Sequence, residues 1–318
     1  MPTLRERAVA ALEGKPPLPG LVPSAELEFQ LTQEKFGQKY HIRQEYEAAG
    51  ERDWLRLAKE DAALYVRVCR HYDLSFMNLN WHPGTRDHDA ALRDYIAIIH
   101  DLAPGELLII VHGDATLSLP DGTHMNELVF RMTDDRENFL RELGESVDRA
   151  LESCARAVEA GVDGFALCAD YCYNSGPWCS PAMFADFVTP FLTRLTQGQR
   201  ALGAYVIKHT DGNIMPILDQ LVASGPHALH SLDPQAKVDI REVKRICGDR
   251  LCLIGNVNCG LLQTGTREEM AENVRYALRW GMPGGRFILA LSNVAFKGMP
   301  LESYELVQRL RHEEGIYA

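Results

Sequence analysis

Eight short apolar stretches, separated by segments of helical periodicity, constrain the fold of this chain more than any other feature of its sequence. They occupy residues 21–29, 73–81, 107–115, 164–171, 205–212, 228–233, 251–258 and 286–293. Each is bounded by turn residues and has the nearly continuous apolar character of a strand that is buried on both faces of a parallel sheet. The sequence therefore predicts eight parallel strands.

The segments between these stretches are predicted to be helices. In the clearest one, apolar side chains recur every three or four positions from Leu140 to Val158, and Gly161 follows. Three helix starts carry the residue types of amino-terminal caps, namely Asp134 with Glu137, Ser180 with Pro181, and Thr266 with Glu269. We predict a further helix at residues 4–13 and a long loop at residues 114–133, after the third strand.

Regular alternation of strand and helix favours a closed barrel. Parallel strands need right-handed crossover connections, and about eight such units close into a barrel, whereas an open doubly wound sheet usually contains five or six strands. We therefore expect an α/β protein, a (β/α)8 TIM barrel with an amino-terminal helical extension, in which residues 1–318 form a single domain.

The charge of the chain argues against two classes of partner. With 33 basic and 44 acidic residues, the net charge is −11, and no basic stripe is available for nucleic acid or anionic lipid. No apolar stretch approaches the roughly 18 residues of a membrane span, and the amino terminus lacks the apolar run of a secretion signal. We expect a cytoplasmic protein with reduced cysteines that acts on a small molecule.

Polar residues gather where the predicted strands end. They include Glu26, Glu28, Asn78, Asn80, His112, Asp114, Asp170, Tyr171, His209, Asp211, His230, Asp233, Asn256, Asn258, Ser292 and Asn293. Any one of them could cap a helix or a turn. In a barrel, however, the carboxyl ends of the strands converge on one mouth, and burying so many polar groups there would cost about 1 to 3 kcal/mol for each one left unpaired. The pattern predicts a ligand site.

Three segments carry a family resemblance: Lys-His-Thr-Asp-Gly-Asn at residues 208–213, Ile-Gly-Asn-Val at 254–257, and Thr-Gly-Thr-Arg-Glu-Glu at 264–269. They resemble the uroporphyrinogen decarboxylase superfamily, whose fold is a β/α barrel, and the resemblance extends more loosely over most of the chain. It implies one of two chemistries. These are decarboxylation of the acetate arms of a tetrapyrrole, and transfer of a methyl group between a corrinoid and a thiol, a folate or a methylated growth substrate.

Two departures from the family pattern bear on that choice. The family's decarboxylases carry an arginine-rich motif near the amino terminus, which suits substrate carboxylates, but residues 19–30 contain no arginine. The family's thiol-alkylating methyltransferases bind zinc through a His-x-Cys pair on the fifth strand and a cysteine near the eighth. Here His209 matches the histidine, Asp211 replaces the first cysteine, and Ser292 and Asn293 end the last strand.

The resemblance therefore implies a methyltransferase that moves a methyl group between a corrinoid and a small-molecule or folate-like substrate, with a corrinoid protein as a candidate partner. We expect Asp170, His209 and Asp211 to be catalytic, by balancing a proton or charge on the leaving heteroatom. A metal such as zinc, held by His209, Asp211 and Glu26, is a further hypothesis. Substrate contacts are expected from Glu26, Asn78, Asn80, His112, Tyr171, Asn256, Asn258, Ser292 and Asn293.

Two alternatives stay open at this point, a uroporphyrinogen decarboxylase and a non-catalytic barrel that binds a ligand after losing the zinc cysteines. Cys259, just beyond the seventh strand, is either a ligand at the mouth or a packing residue. The spacing of Cys168, Cys172 and Cys179 fits no standard zinc motif, so we interpret these as core or loop thiols. The identity of the methyl donor and acceptor and the oligomeric state stay open as well.

Overall fold

The computed structural model describes residues 2–318, and all eight predicted strands are present in one parallel sheet. We number them β1 (Ser24–Glu26), β2 (Leu74–Met77), β3 (Ile110–His112), β4 (Gly164–Leu167), β5 (Tyr205–His209), β6 (Ala228–His230), β7 (Cys252–Val257) and β8 (Phe287–Leu291). Their order in the sheet is β2-β1-β8-β7-β6-β5-β4-β3. Leu79 N donates to Ile110 O and Leu108 N donates to Ser75 O, at 2.8 and 3.0 Å, which joins β2 to β3. The predicted TIM barrel is confirmed.

Helices surround the barrel. They span Leu4–Glu13, Thr32–Phe36, Arg43–Ala48, Glu51–Tyr72, His88–Leu102, Met125–Thr133, Arg136–Glu159, Pro181–Phe187, Thr189–Ala201, Leu218–Ala223, Ile240–Cys247, Cys259–Thr264, Arg267–Gly281 and Leu301–Glu314, with short 3₁₀ turns at Met215–Ile217 and Pro234–Ala236. Two small antiparallel pairs join Gly20–Leu21 to Ile316–Tyr317 and Cys172–Tyr173 to Gly176–Pro177. Within residues 2–318, no helix has the length and apolar character needed to cross a membrane.

Two of the predicted helix caps are present as hydrogen bonds. Ser180 Oγ accepts from Met183 N at 3.2 Å at the start of its helix. Thr266 Oγ1 accepts from Glu269 N at 3.2 Å, and the Glu269 carboxylate accepts in return from Thr266 N at 2.8 Å. This reciprocal pair satisfies two backbone donors that a helix start leaves without partners.

The predicted loop at residues 114–133 is wrong in its second half. A helix, Met125–Thr133, forms there because Leu128 and Met132, one turn apart, give it an apolar face that is buried. Asp134 lies at the carboxyl end of this helix, so it does not cap the amino end of the next one as predicted.

The opening helix closes the amino end of the barrel. Its Ala8, Ala11 and Leu12 pack into the barrel interior, and the Leu4 carbonyl accepts from Ser75 Oγ at 2.9 Å at the start of β2. With that end filled by apolar side chains, the carboxyl ends of the strands form the mouth that remains for a ligand.

Candidate active site

Asp170, His209 and Asp211 meet at the mouth of the barrel. His209 is the last residue of β5, and the two aspartates follow β4 and β5. His209 Nε2 lies 3.8 Å from Asp170 Oδ1 and 3.8 Å from Asp211 Oδ1. Asp211 N donates to Asp170 Oδ1 at 2.9 Å, which holds the two carboxylates side by side. The structure thus brings together the three residues that the sequence singled out for chemistry.

Asp211 is held by two side-chain donors from other strands. Ser231 Oγ donates to Oδ1 at 2.8 Å and Asn293 Nδ2 donates to Oδ2 at 2.5 Å. Burial raises the pKa of Asp211 to about 7; the donor Ser231 opposes this shift, while the negative charges of Asp170 and Asp233 add to it. An aspartate with this pKa exchanges a proton near neutral pH, or stays ionised when a cation is close.

A chain of hydrogen bonds sets the tautomer of His209. His230 Nε2 lies 3.1 Å from the Leu291 carbonyl, which can only accept, so this nitrogen carries the proton. His230 Nδ1 is then the acceptor in its 2.8 Å contact with His209 Nδ1, and His209 must donate there. The remaining nitrogen of His209, Nε2, is left with a lone pair that faces Asp170 and Asp211.

His209 is uncharged at neutral pH. Burial lowers its pKa to about 3, the charge of Lys208 and that of a protonated His112 lower it further, and Asp114 opposes the shift. The mouth therefore presents one imidazole lone pair and two carboxylates within 4.8 Å of one another. Such a set repels electron-rich groups and favours a cation or a proton at its centre.

A buried ion pair supports the cluster from the side of β3 and β4. Lys208 is fully buried, and its Nζ donates to Asp114 Oδ2 at 3.0 Å and to the carbonyls of Leu167 and Ala169 at 3.2 and 2.8 Å. Burial alone would raise the pKa of Asp114, but the charge of Lys208 and the hydrogen bonds from Thr116 and Ala169 outweigh it and lower that pKa. The pair anchors the strand that carries His209.

Glu26 lies apart from this cluster. Its carboxyl group is buried against β8 and the last helix, where Leu291 N lies 3.3 Å and Tyr304 Oη 3.2 Å from its oxygens. Burial raises the pKa of Glu26 to about 8, so it is mostly protonated at neutral pH and makes a poor metal ligand. Among the described residues, the potential ligand beside His209 and Asp211 is Asp170, whereas Glu26 lies outside that group, and metal binding itself stays a prediction.

Asn256 and Asn258 use their side chains within the protein. Asn256 Nδ2 donates to the Leu232 carbonyl at 3.1 Å. Asn258 caps the following helix, since its Oδ1 accepts from Gly260 N and Leu261 N at 2.9 and 3.2 Å. These bonds supply the helix-cap explanation that the sequence also allowed for Asn258. Substrate contacts by either residue stay a prediction.

Ser292 and Tyr171 also have internal partners. Ser292 Oγ accepts from Cys259 N at 3.5 Å, and the Tyr171 hydroxyl shares a 2.5 Å hydrogen bond with Thr116. Cys259 is buried, and its thiol points to the Val294 carbonyl at 3.7 Å, so it packs behind the mouth. Ser231, which sequence reasoning missed as a partner of Asp211, directly follows β6 between two candidates, His230 and Asp233.

Asn78, Asn80 and His112 line a cavity of about 1000 Å³ on the side of the mouth formed by β1, β2 and β3. Glu28 and Asp114 line it as well. Asp114 is also the partner of Lys208 in the buried ion pair, and Lys208 precedes His209 on β5, so the cavity lies near the cluster although no member of the cluster lines the cavity.

Replacing Glu26 with Gln should change how stability depends on pH. Because the pKa of Glu26 rises from 4.5 to about 8 on folding, the native state gains from its protonation below pH 4.5 and loses that gain as the pH rises through 8. We expect Glu26→Gln to match the wild type near pH 4.5 and to exceed it by up to about 5 kcal/mol above pH 8.

Urea unfolding across this pH range measures the difference, with the exposed neighbour Glu28→Gln as the control. A constant difference between Glu26→Gln and the wild type at all pH values would show that the pKa of Glu26 does not change on folding, which would contradict the prediction.

Nitrogen-15 NMR of the imidazole rings tests the tautomer assignment. At pH 7 we expect His209 to carry its proton on Nδ1 and His230 to carry its proton on Nε2. In His230→Phe, His209 loses its acceptor, and its proton should move to Nε2, where two carboxylates can accept it. His227→Phe, which removes a histidine bonded to Val206 N, should leave His209 unchanged. A proton on Nε2 of His209 in the wild type would contradict the assignment.

Comparison with solved structures extends over nearly the whole chain. A methyltransferase from Methanosarcina mazei matches with a TM-score of 0.74 at 19% identity, covering 98% of each chain. A Listeria monocytogenes protein, provisionally named a vitamin-B12-independent methionine synthase, matches with a TM-score of 0.52 at 12% identity, covering 91% of this chain and 93% of that one. At such identities the likeness establishes the fold.

Sequence comparison gives the family. A search of curated proteins gives no significant match. The family model of uroporphyrinogen decarboxylase (URO-D) matches residues 115–314, which include β4 to β8, the cluster at the mouth and its partners Ser231 and Asn293. Because this match covers more than half of the chain, the protein belongs to the uroporphyrinogen decarboxylase family, a family of enzymes.

Proposed function

We propose that this protein is a corrinoid-linked methyltransferase in which Asp170, His209 and Asp211 bind a divalent metal ion. The observation that carries the metal proposal is the lone pair of His209 Nε2, which faces two carboxylates. Without a cation, these three groups would place negative charge and a lone pair against one another. Membership of the family and the likeness in fold to a methyltransferase support the choice of reaction.

The donor set fits a divalent ion. Zinc ligands lie about 2.0 to 2.2 Å from the ion, so that two ligands in tetrahedral geometry are roughly 3.4 Å apart. The Nε2-to-oxygen distances of 3.8 Å are close to that spacing. One imidazole and two carboxylates suit zinc or another first-row divalent ion. A bound ion would supply a Lewis acid for the heteroatom that gives up or receives the methyl group.

The chain's own residues hold the site in place. Ser231 and Asn293 fix both oxygens of Asp211, and His230 orients the ring of His209. With the ion bound, its positive charge would keep Asp211 ionised although burial alone raises the pKa of this carboxyl group, so Asp211 would serve as an anionic ligand. These contacts pre-organise the donors, so that little reorganisation is needed during the reaction.

A corrinoid on a partner protein would have to approach from outside. The side chain of Asp170 is 44% exposed and that of Asp211 is 29% exposed, so the cluster opens toward solvent at the mouth. An open mouth suits docking of a second protein, which we propose as the carrier of the corrinoid.

The charges of the cavity give little support to porphyrinogen decarboxylation. Among the described residues that line it, the lysine and arginine side chains are Lys39, Arg43 and Lys297, opposed by the carboxylates of Glu28, Glu34 and Asp114, and His82, His88 and His112 line it as well. A substrate with many carboxylates needs an excess of guanidinium groups for bidentate hydrogen bonds, and this lining offers one arginine.

Metal content tests the donor set. We expect protein purified without chelators to contain about one equivalent of a divalent ion, and Asp211→Asn to bind it at least tenfold more weakly, because the variant loses an anionic ligand. Elemental analysis and zinc titration give the measurement. Asp134→Asn, which removes an exposed carboxylate at a helix end, serves as the control. Equal metal binding by Asp211→Asn and the wild type would contradict the ligand assignment.

Methylcobalamin tests the reaction. In this assay the metal-loaded protein is mixed with methylcobalamin and one methyl acceptor, either a thiol, tetrahydrofolate or a phenol. We expect the absorbance of methylcobalamin to be lost with one of these acceptors. The rate of this loss should be at least 100-fold lower for Asp211→Asn, because the variant lacks the negative charge at the reacting centre. Binding of methylcobalamin without methyl loss to any of the acceptors would instead favour a non-catalytic barrel.

A further inference from the structure

The large cavity crosses the edge of the barrel wall. Along β2 and β3, Phe76 and Ile110 face the barrel interior, while Met77 and Val111 pack in the outer apolar layer between the strands and the helices. The cavity is lined by Met77 and Val111 as well as by His112 at the mouth. It therefore has two parts, which we call the mouth lobe (Asn78, Asn80, His112) and the rear lobe (Met77, Leu79, Val111, Phe165, Ala150, Ser153, Cys154, Ala157).

Small side chains create the rear lobe. Ala150, Ser153, Cys154 and Ala157 follow one another at intervals of three, one and three residues on the helix Arg136–Glu159, so they share one face of that helix. Opposite them lie apolar side chains of β3 and β4. Larger residues at these four positions would fill the space, so the short side chains leave an apolar chamber behind the strands.

The mouth lobe contains a polar group that lacks a partner. Asn78 is more than nine-tenths buried, lines the cavity, and its Nδ2 has no hydrogen-bond partner among the described residues. A buried amide without a partner costs about 1 to 3 kcal/mol, which a polar group of a ligand would recover. Among the described residues, the lining contains three lysine or arginine side chains, three carboxylates and three histidines. Neither sign of fixed charge is in excess, which suits a ligand head without net charge.

We propose that this cavity binds a neutral amphiphile, with a hydrogen-bonding head beside Asn78 at the mouth and an aryl or alkyl tail in the rear lobe. The proposal rests on the proposed function only in making this molecule the methyl donor or acceptor; binding itself needs neither the metal nor a corrinoid. A volume of about 1000 Å³ holds a molecule of this kind, at the upper end of the usual range for small-molecule sites.

A series of 4-alkylbenzamides, from methyl to hexyl, tests the rear lobe by calorimetry on the protein without corrinoid. The benzamide head supplies a carbonyl and an amide for Asn78, and each added methylene should tighten Kd about fourfold as it enters the apolar lobe. Ala157→Phe should remove this dependence on chain length for the longer members. Ala201→Phe, the same change at an exposed helix end, should keep it.

Replacement of Asn78 tests independently whether the head of the ligand binds beside this side chain. Asn78→Leu should weaken every member of the series about tenfold while leaving the dependence on chain length intact. Circular dichroism checks folding, and Ser153→Leu replaces Ala157→Phe if the larger side chain prevents folding. The proposal would be overturned if Kd depended on alkyl-chain length equally in Ala157→Phe (or Ser153→Leu) and in Ala201→Phe. It would also be overturned if no benzamide bound to the wild type. Because the titrations contain no methyl donor, failure of the methylcobalamin assay leaves their outcome intact.

Discussion

The hydrogen bond between the Nδ1 atoms of His209 and His230 is the interaction on which the candidate site depends. It runs from β5 to β6, and its direction is set at β8, where the Leu291 carbonyl accepts the proton of His230. Three strands therefore have to be in register before His209 can turn its lone pair to the mouth. The closed barrel supplies that register, since parallel pairing aligns His209 with His230. The orientation of the His209 lone pair at the mouth therefore depends on the closed barrel.

Much of the fold can be read from the sequence because strand burial leaves a local pattern. All eight apolar stretches contain a barrel strand, and the caps at Ser180 and Thr266 follow from residue types only three positions apart. The helix Met125–Thr133 escaped prediction because only Leu128 and Met132 mark its buried face in a polar segment. A helix or strand can be predicted when its hydrophobic pattern repeats over enough residues, and two buried apolar residues in one helix are too few.

The candidate site is less readable, because its contacts join distant strands. The sequence indicated which strand ends carry polar residues, and it placed Asp170, His209 and Asp211 at the mouth. It could not decide between Glu26 and Asp170 as neighbours of His209, since that depends on which face of β1 carries Glu26. The tautomer of His209 was also beyond reach, because it follows from a carbonyl 82 residues away in the chain, at the end of another strand.

Under the proposed function, the aspartate at position 211 has a chemical consequence, because the resemblance to thiol-alkylating methyltransferases implies a cysteine there. A carboxylate oxygen is a harder ligand than a thiolate and donates less electron density to a metal ion, so an ion held by Asp170, His209 and Asp211 keeps more of its Lewis acidity. Such an ion would bind oxygen or nitrogen in preference to sulfur. A rear lobe suited to an aryl or alkyl tail, next to a mouth with hard ligands, is consistent with an amphiphile whose methyl group sits on oxygen or nitrogen. Aspartate at position 211 would then suit a substrate whose methyl group is carried by oxygen or nitrogen, at a site where His230 orients the ring of His209.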